Sequence, residues 1–333
     1  MIITLGSVTL NINFVGEEDT TIMEAMGEVF SDYLSPKEEI GIPLVIRQCP
    51  NASQKKFFAK DELKTFQDYF TKIEGRFPFS KASSGWKRGW NKTVSRSQKE
   101  YGTFPGFAHI LPLFRADKIA VIFHNSFLLL INYEEPSGEM LILKSDFSED
   151  TATISLAIQA TAGLLAPLHG GMMLHACSTD FNGEGYVFLG GSGAGKSTIA
   201  DLIGTEQLLA DDGTLFFRRL GEFYVAPSPF TQVTNSTNRS RIVPVKRLFF
   251  LIKDEDNFVE EVTPGEAMSR ILHNHIHFFR YFPDKEAKKT FMMVNEIVEQ
   301  FPFYNLHFTL NINPFTFFKE WVDDRTKENK KAV

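Results

Sequence analysis

The chain has 333 residues, enough for two domains or one large one, and its 43% hydrophobic and 23% charged residues are the balance of an ordinary globular protein. A net charge of −6 counts against general binding to nucleic acid or to anionic membrane surfaces. Two isolated cysteines, Cys49 and Cys177, make neither a disulfide framework nor a zinc pattern, and MIITLGSVTLNINF has no signal-type n-region or h-region, so the expected compartment is the cytoplasm.

Residues 1–14 alternate apolar and polar around Gly6-Ser7, which predicts a short hairpin. Thr20-Thr21 cap an expected helix over 22–34, ended by Pro36. Residues 43–48 (PLVIRQ) read as a strand, and 61–73 as an amphipathic helix. Between Glu74 and Glu100 the chain carries Arg76, Lys81, Lys87, Arg88, Lys92, Arg96 and Lys99 with Trp86 and Trp90 among them. That stretch is a solvated loop or a contact surface for an acidic peptide or protein. Residues 107–144 predict a β-meander of four runs, AHILPLF, KIAVIFH, FLLLINY and EMLILKS. A domain boundary is expected near Asp146–Asp150, dividing an N-terminal α+β domain (1–147) from a second domain (148–325) and a charged tail (326–333). Ser148 caps a helix of about 151–166. No charge occurs from Thr151 to Thr179, but Gln159, Pro167, His169 and Gly170-Gly171 break up a spanning helix. A buried helix, a turn and a buried strand are expected there instead. The 33 Phe are expected as core filler.

The central stretch carries the chemistry. MMLHACS is a strand candidate, Asn182-Gly183 a turn, and GYVFL a second strand. It runs into Gly190-Gly191-Ser192-Gly193-Ala194-Gly195-Lys196-Ser197, a full match to G-x-x-x-x-G-K-[ST], and Lys196-Ser197-Thr198 opens a helix that Gly204 closes. Glycines let backbone N–H groups converge on an anion, and the helix start adds positive dipole charge. Lys196 would reach the β- and γ-phosphates of ATP, and Ser197 would ligate Mg²⁺. Fifteen residues after Lys196, LLADD places Asp211 and Asp212 at the end of an apolar run. One carboxylate can hold the metal and the other can take a proton from a hydroxyl nucleophile. His175, in MLHACS, lies on the neighbouring strand, where it is a packed core residue or a supporting proton relay.

Downstream, TLFFRR, EFYVAP and KRLFFLI read as strands. Thr263, Pro264 and Glu266 fit N-cap, N1 and N3 of a helix carrying His273, His275 and His277. Only His273 and His277 would share a face of that helix; the expected reading is an ordinary polar or packed face, with metal binding the alternative. A helix over 284–300, a strand FYNLHFTLN and a final helix Pro314–Val322 complete the pattern. The fold class is α/β with an α+β mixed sheet.

The three linked motifs LHACS, GGSGAGKST and LLADD resemble the catalytic core of HPr kinase/phosphorylase and its kinase relatives, and are most similar to the HPr-kinase-related proteins of peptide-modification gene cassettes. The resemblance covers roughly residues 150–320. It implies a P-loop kinase core similar in fold to ATP-dependent phosphoenolpyruvate carboxykinase. By motif it implies that Gly190, Gly191, Ser192, Gly193, Ala194, Gly195, Lys196, Ser197 and Thr198 bind nucleotide, that Ser197 and Asp211 hold Mg²⁺, that Asp212 is the base, and that His175 and Lys196 support catalysis. The Arg-Gly-Leu-Gly and Pro-Gly-Arg-Asn segments of HPr kinase/phosphorylase are absent, which counts against HPr as substrate and against phosphorolysis. Arg239, Arg241, Lys246 and Arg247 are the cations downstream of the acidic pair, and one of Arg239 or Arg241 is a candidate to stabilise the transferring phosphoryl group.

The expected function is transfer of the γ-phosphoryl group of ATP to a hydroxyl, on Ser or Thr of a protein or peptide. The alternative is a nucleotide-binding regulator or scaffold with little transfer. The expected partners are nucleotide and a protein or peptide substrate, with neither nucleic acid nor membrane, and self-association stays open. The base-reading motif of G-proteins and the signature motif of ABC ATPases are both absent from the sequence.

Overall fold

The computed structural model describes residues 1–15, 24, 26–35, 41–48, 111–116, 119–123, 127–142, 151–204, 206–228, 241–309 and 316–323. The expected helix over 61–73, the basic stretch 76–99, the caps at Thr20-Thr21 and Ser148, Pro36, Arg239 and the tail 326–333 lie outside them. The described part mixes α and β, and both sheets contain parallel and antiparallel pairs. The chain divides into two compact units. One comprises Met1–Ile3, Leu10–Thr161 and Tyr281–Lys285, and the other Thr4–Thr9, Ala162–Arg280 and Glu286–Val333.

The first sheet holds β1 (Ile2–Leu5), β2 (Val8–Val15), β3 (Ile42–Gln48), β4 (Leu111–Ala116), β5 (Ile119–Phe123), β6 (Phe127–Asn132) and β7 (Ser137–Ile142), in the order β1-β2-β3-β7-β6-β5-β4. The hairpin turns at Gly6, whose φ of 59° is one glycine takes without steric cost. The expected meander is present as four antiparallel strands. Asn132 builds one of its turns, its Oδ1 accepting from the N–H groups of Glu134 and Glu135. Pro112 sits in the outer strand β4 beside a register shift, a position where a missing N–H is tolerated. Helical residues 26–29 lead to a 3-10 turn at Ser31–Tyr33, with Met26 and Phe30 buried.

The uncharged stretch becomes helix α1 (Thr151–Leu165), a 3-10 turn (Ala166–His169) and strand β8 (Gly171–Phe181), as its composition predicts. Among the described residues no helix is long and apolar enough to cross a membrane. The second sheet adds β9 (Glu184–Leu189), β10 (Leu208–Ala210), β11 (Gly213–Arg219), β12 (Glu222–Ala226), β13 (Val243–Lys253), β14 (Phe258–Val262) and β15 (Phe303–Phe308). Helices α2 (Lys196–Ile203), α3 (Pro264–Arg270) and α4 (Asp284–Gln300) and a helical segment at 316–323 pack on it.

Two long strands change partners along their length. Residues 171–175 of β8 pair with β11, and residues 176–181 with β9. β13 pairs first with β12 and then runs parallel to both β9 and β15. The pairings β8-β11-β12-β13-β9-β8 therefore close into a ring. One apolar cluster joins Met172, Leu174, Val187, Leu189, Phe216 and Phe250 of these strands to Ala267 of α3 and Val294 and Ile297 of α4. A second cluster joins Cys177, Phe188, Phe249 and Phe308 to Ile199, Ala200 and Ile203 of α2 and to Phe318. Phe188 and Phe249 stack at 5.6 Å, and Phe318 meets both edge-on, so phenylalanines do fill these layers.

Two features depart from the expectation. β14 is a strand despite its acidic FVEEV sequence, lying antiparallel to β15 at the end of the sheet order, where Glu260 and Glu261, on opposite faces, are both exposed. The helix begun by Thr263, whose Oγ1 accepts from Glu266 N at 3.3 Å, stops at Arg270. Ile271–His275 forms a π turn. Ile276 then bridges Leu174, and His277 N donates to Met173 O at 2.9 Å. β9 pairs with β8 only from Ala176 onward, which leaves the edge at Met173–Leu174 to receive this segment. His273 and His277 therefore do not share a helix face.

Candidate functional site

The glycine loop joins β9 to α2. Gly193 (φ 76°) and Gly195 (φ 104°) hold left-handed conformations. A Cβ on Gly195 would come within 2.5 Å of the Phe308 ring, and one on Gly190 within 2.8 Å of Ala194 Cβ. Only glycine satisfies both the backbone and the space at Gly195. The loop leaves β9 at the same end at which the parallel strands β13 and β15 finish, the edge where sheets of this kind gather ligands. Gly191, Ser192, Gly193 and Ser197 are exposed, while Ala194 and Thr198 are half-buried. The first-turn N–H groups of a helix have no acceptor inside it.

Lys196 is buried at 6% exposure, with its ammonium held in place. Nζ donates to the carbonyls of Gly190 (2.8 Å) and Gly191 (3.2 Å) and lies 3.2 Å from Asp212 Oδ1. It also lies 2.8 Å from His175 Nε2, which is itself 2.9 Å from Asp212 Oδ1. An imidazole nitrogen has one in-plane site. Nε2 with a proton donates to Asp212, and without one it accepts from Lys196.

Strand pairing builds the rest. His175 is in register with Gly213, and Ala176 N donates to Asp212 O at 3.2 Å. Thr214 Oγ1 donates to Ala176 O at 2.8 Å, and Thr179 Oγ1 donates to Gln207 O at 2.9 Å. These buried bonds fasten the β10–β11 connection, and with it Asp211 and Asp212, to β8. Asp211 is buried, and its charge bears on Cys177, whose thiol is pushed far up by burial first and by the two aspartates next. Asp212 is half-exposed.

A residue that the sequence reading left by default on an ordinary helix face completes the cluster. His277 Nε2 donates to Asp212 O at 3.2 Å, and its ring lies 4.9 Å from that of His175. His175, Asp212 and His277 offer ligand atoms within 4.8 Å of one another, a set that could hold a metal ion. The available signal was HNHIHFF itself, where histidines at every second residue suit extended chain better than helix. Phe278 has φ 66°, a strained value for a bulky residue, and its ring packs where Gly163 of α1 has no side chain.

Burial alone would raise the Asp212 pKa. The His175 hydrogen bond and charge, with the charges of Lys196 and His277, outweigh it and hold the carboxyl well below the usual carboxylate range. Burial, and then the charge of His175, lowers both His275 and His277 to about 4. His275 sits against Phe250, and its Nδ1 has no hydrogen-bond partner among the described residues.

The candidate Arg241 belongs elsewhere. Its Nε meets buried Asp180 at 2.5 Å, beside the Asn182-Gly183 turn at the start of β9, the end opposite the glycine loop. Lys246 pairs with Glu184 at 2.6 Å, and Arg247 lies 5.5 Å from the Trp321 ring centre. These cations stabilise the far end of the sheet and do not serve the loop.

Comparison with curated proteins finds no significant match to the chain. The family model described as SynChlorMet cassette protein ScmC matches residues 143–321. That span includes the glycine loop, the acidic pair and both histidine-bearing segments of the site, and is more than half of the 333 residues. The chain therefore belongs to the ScmC family of SynChlorMet cassette proteins.

Proposed function

We propose that this protein is an ATP-dependent phosphotransferase that moves the γ-phosphoryl group to a hydroxyl on Ser or Thr of a protein or peptide. The observation that carries the reading is the convergence of Lys196, Asp212 and His175 beside a loop that requires glycine. The resemblance of its three linked motifs to HPr kinase/phosphorylase supports the same reading.

In this reading the main-chain N–H groups of Gly190–Thr198 hold the phosphates. Mg²⁺, held by Ser197 and Asp211, would neutralise phosphate charge when bound; the exposed Ser197 hydroxyl and the buried Asp211 carboxylate are suitable hard oxygen donors. Lys196 leaves Asp212 and turns to the phosphates. The acceptor oxygen bonds to phosphorus as the bond to the bridging oxygen breaks, and the acceptor proton passes to Asp212 Oδ1. With Lys196 beside it, Asp212 is a poor base because its proton affinity is depressed. Departure of Lys196 removes one of the charges responsible. His175 then orients the carboxylate and shares the arriving proton.

That low proton affinity also favours a second reading, a nucleotide-binding regulator with little transfer. Single-turnover mass spectrometry with ATP and candidate cassette peptides separates the two. Phosphorylated peptide is expected from the wild type and none from Lys196→Ala. Asp212→Asn should keep nucleotide binding within about threefold and slow transfer by roughly 10²–10⁴-fold. Unchanged transfer by Asp212→Asn refutes the base. Nucleotide bound by the wild type without any phosphorylated product establishes the regulator.

A further inference from the structure

We propose that Phe258, backed by the His307 ring, is the platform on which the purine base of the nucleotide stacks, with the β13–β14 connection (254–257) along its edge. This base site deepens the phosphotransferase reading and rests on the nucleotide of that reading.

Sheet order sets the direction. β8 and β13 flank β9 on opposite edges, and β15 and then β14 follow beyond β13. In the proposed reaction the γ-phosphoryl group lies by Lys196 and Asp212, which meet His175 on the β8 side of the glycine loop. The rest of the nucleotide then trails the other way, across the ends of β13 and β15 toward β14. With neighbouring strands about 4.8 Å apart, β14 stands roughly 14 Å from β9, within the reach of an extended nucleoside triphosphate.

The path is continuous. A Cβ on Gly190 would lie 3.6 Å from Leu251 Cβ of β13, and one on Gly195 2.5 Å from the Phe308 ring of β15. Asp254 N donates to Phe308 O at 2.9 Å, and Thr309 N donates to Asn257 Oδ1 at 2.8 Å. The connection leading into β14 is thereby fastened at the end of β15.

The platform itself is rigid. Phe258 and His307 are a cross-strand pair whose rings lie within 11° of parallel, with centres 4.0 Å apart. His307 is held from both edges, Nδ1 lying 2.8 Å from Asp254 Oδ2 and Nε2 3.2 Å from Glu260 Oε1. Glu260 also accepts from Asn305 Nδ2 at 2.7 Å, and Asn305 Oδ1 accepts from Arg270 Nη1 at 2.7 Å, which anchors the stack in a buried amide and in α3. Phe258 is nonetheless 39% exposed. His307 covers one face of its ring, so the open face is the other. A fixed aromatic face at the ligand edge of a sheet is a surface on which a flat base stacks.

The surrounding groups suit a nucleoside. Asp254, Glu255 and Asp256 are exposed. Their carboxylates repel phosphate and accept from an exocyclic amine or a ribose hydroxyl. Asn257 Nδ2 is a buried donor with no hydrogen-bond partner among the described residues. This end of the sheet therefore turns the triphosphate back toward Lys196 and keeps the base. A two-ring purine covers more of Phe258 than a one-ring pyrimidine does.

Two probes separate base from phosphate, a non-hydrolysable ATP analogue and inorganic tripolyphosphate, each titrated calorimetrically into the full-length protein. The wild type should bind the ATP analogue at least fivefold more tightly than the matching cytidine analogue. Phe258→Ala should weaken the ATP analogue at least fivefold and leave tripolyphosphate unchanged. In Phe258→Trp the added indole emission should fall with the ATP analogue and not with tripolyphosphate, a signal that a merely structural role does not produce. Should Phe258→Ala lose both probes through misfolding, that quench decides the matter. Equal affinity of the wild type and Phe258→Ala for the ATP analogue, no preference for the purine, or no quench overturns the proposal and leaves the phosphotransferase reading standing. Binding that depends on Phe258 without transfer to any acceptor defeats the phosphotransferase reading alone. A wild type that binds neither probe overturns both.

Discussion

Four groups converge on Asp212. Its carboxylate meets His175 and Lys196, and its carbonyl accepts from Ala176 N and His277 Nε2. Two of the neighbouring histidines carry a pH dependence. His275 and His277 titrate at about 4 in the fold against 6.5 for an ordinary histidine, chiefly through burial. Between those values the unfolded chain binds more protons than the folded one, so stability rises with pH across that window. The contribution of neutral histidine is complete above the unfolded value and is lost as pH falls toward the folded one. Urea midpoints should be flat from pH 8 to 7 and then drop down to pH 4, by on the order of 1–3 kcal/mol per histidine. His277→Asn, which has nothing to titrate, should reduce the slope. A slope identical to the wild type's would remove His277 from the account. The sequence marked Lys196, Asp212 and His175 because each sits in a motif with fixed spacing. His277 belongs to none, and it reaches Asp212 from 65 residues away through a bridge that no local pattern encodes.

At the scale of elements, α1 is joined to the site by absence of a side chain. A Cβ on Gly163 would lie 2.6 Å from the Phe278 ring. Glycine to alanine inside a helix ordinarily stabilises by about 1 kcal/mol. Gly163→Ala should do the reverse, destabilising by about 1–3 kcal/mol through overpacking. A displaced Phe278 also carries His277 away from Asp212, so the His277 ring resonances should shift along with the fall in Tm. An unchanged Tm would show that Phe278 gives way freely. Most elements were legible beforehand. The meander, β8, β9, α2, β11 and β13 are apolar runs closed by Gly, Asn-Gly or Pro, and the structure has them at the expected residues. β14 was not legible, because an edge strand exposed on both sides at Glu260 and Glu261 can carry acids that resemble a loop. The π turn was hidden by a sound capping box, since a cap reports where a helix begins and nothing about its length.

At the scale of the molecule, contiguity in sequence and compactness in space differ. Thr4–Thr9 belongs with Ala162–Arg280, although the rest of the N-terminal half does not. A fragment of residues 148–333 lacks that hairpin segment. It should melt several degrees below the corresponding transition of the full chain, as a loss of about 1–2 kcal/mol would produce. Equal melting temperatures in calorimetry would show that Thr4–Thr9 adds nothing. The ring through β8, β11, β12, β13 and β9 closes between residues 171 and 253, so these strands should unfold in one transition. Sequence patterns report faces and ends of strands. They do not report which strands exchange partners midway, and so the closure was invisible until pairings were known.

The double use of Asp212 bears on how this lineage can diverge. Its carbonyl ties β8 to the His277 segment, a service that any residue's backbone performs, whereas its carboxylate is the group to which the proposed reaction assigns the proton. If the protein is the phosphotransferase proposed above, substitution by asparagine would slow the transfer and keep both backbone bonds. On that reading, descent from catalyst to inert adaptor would be open in a single codon change.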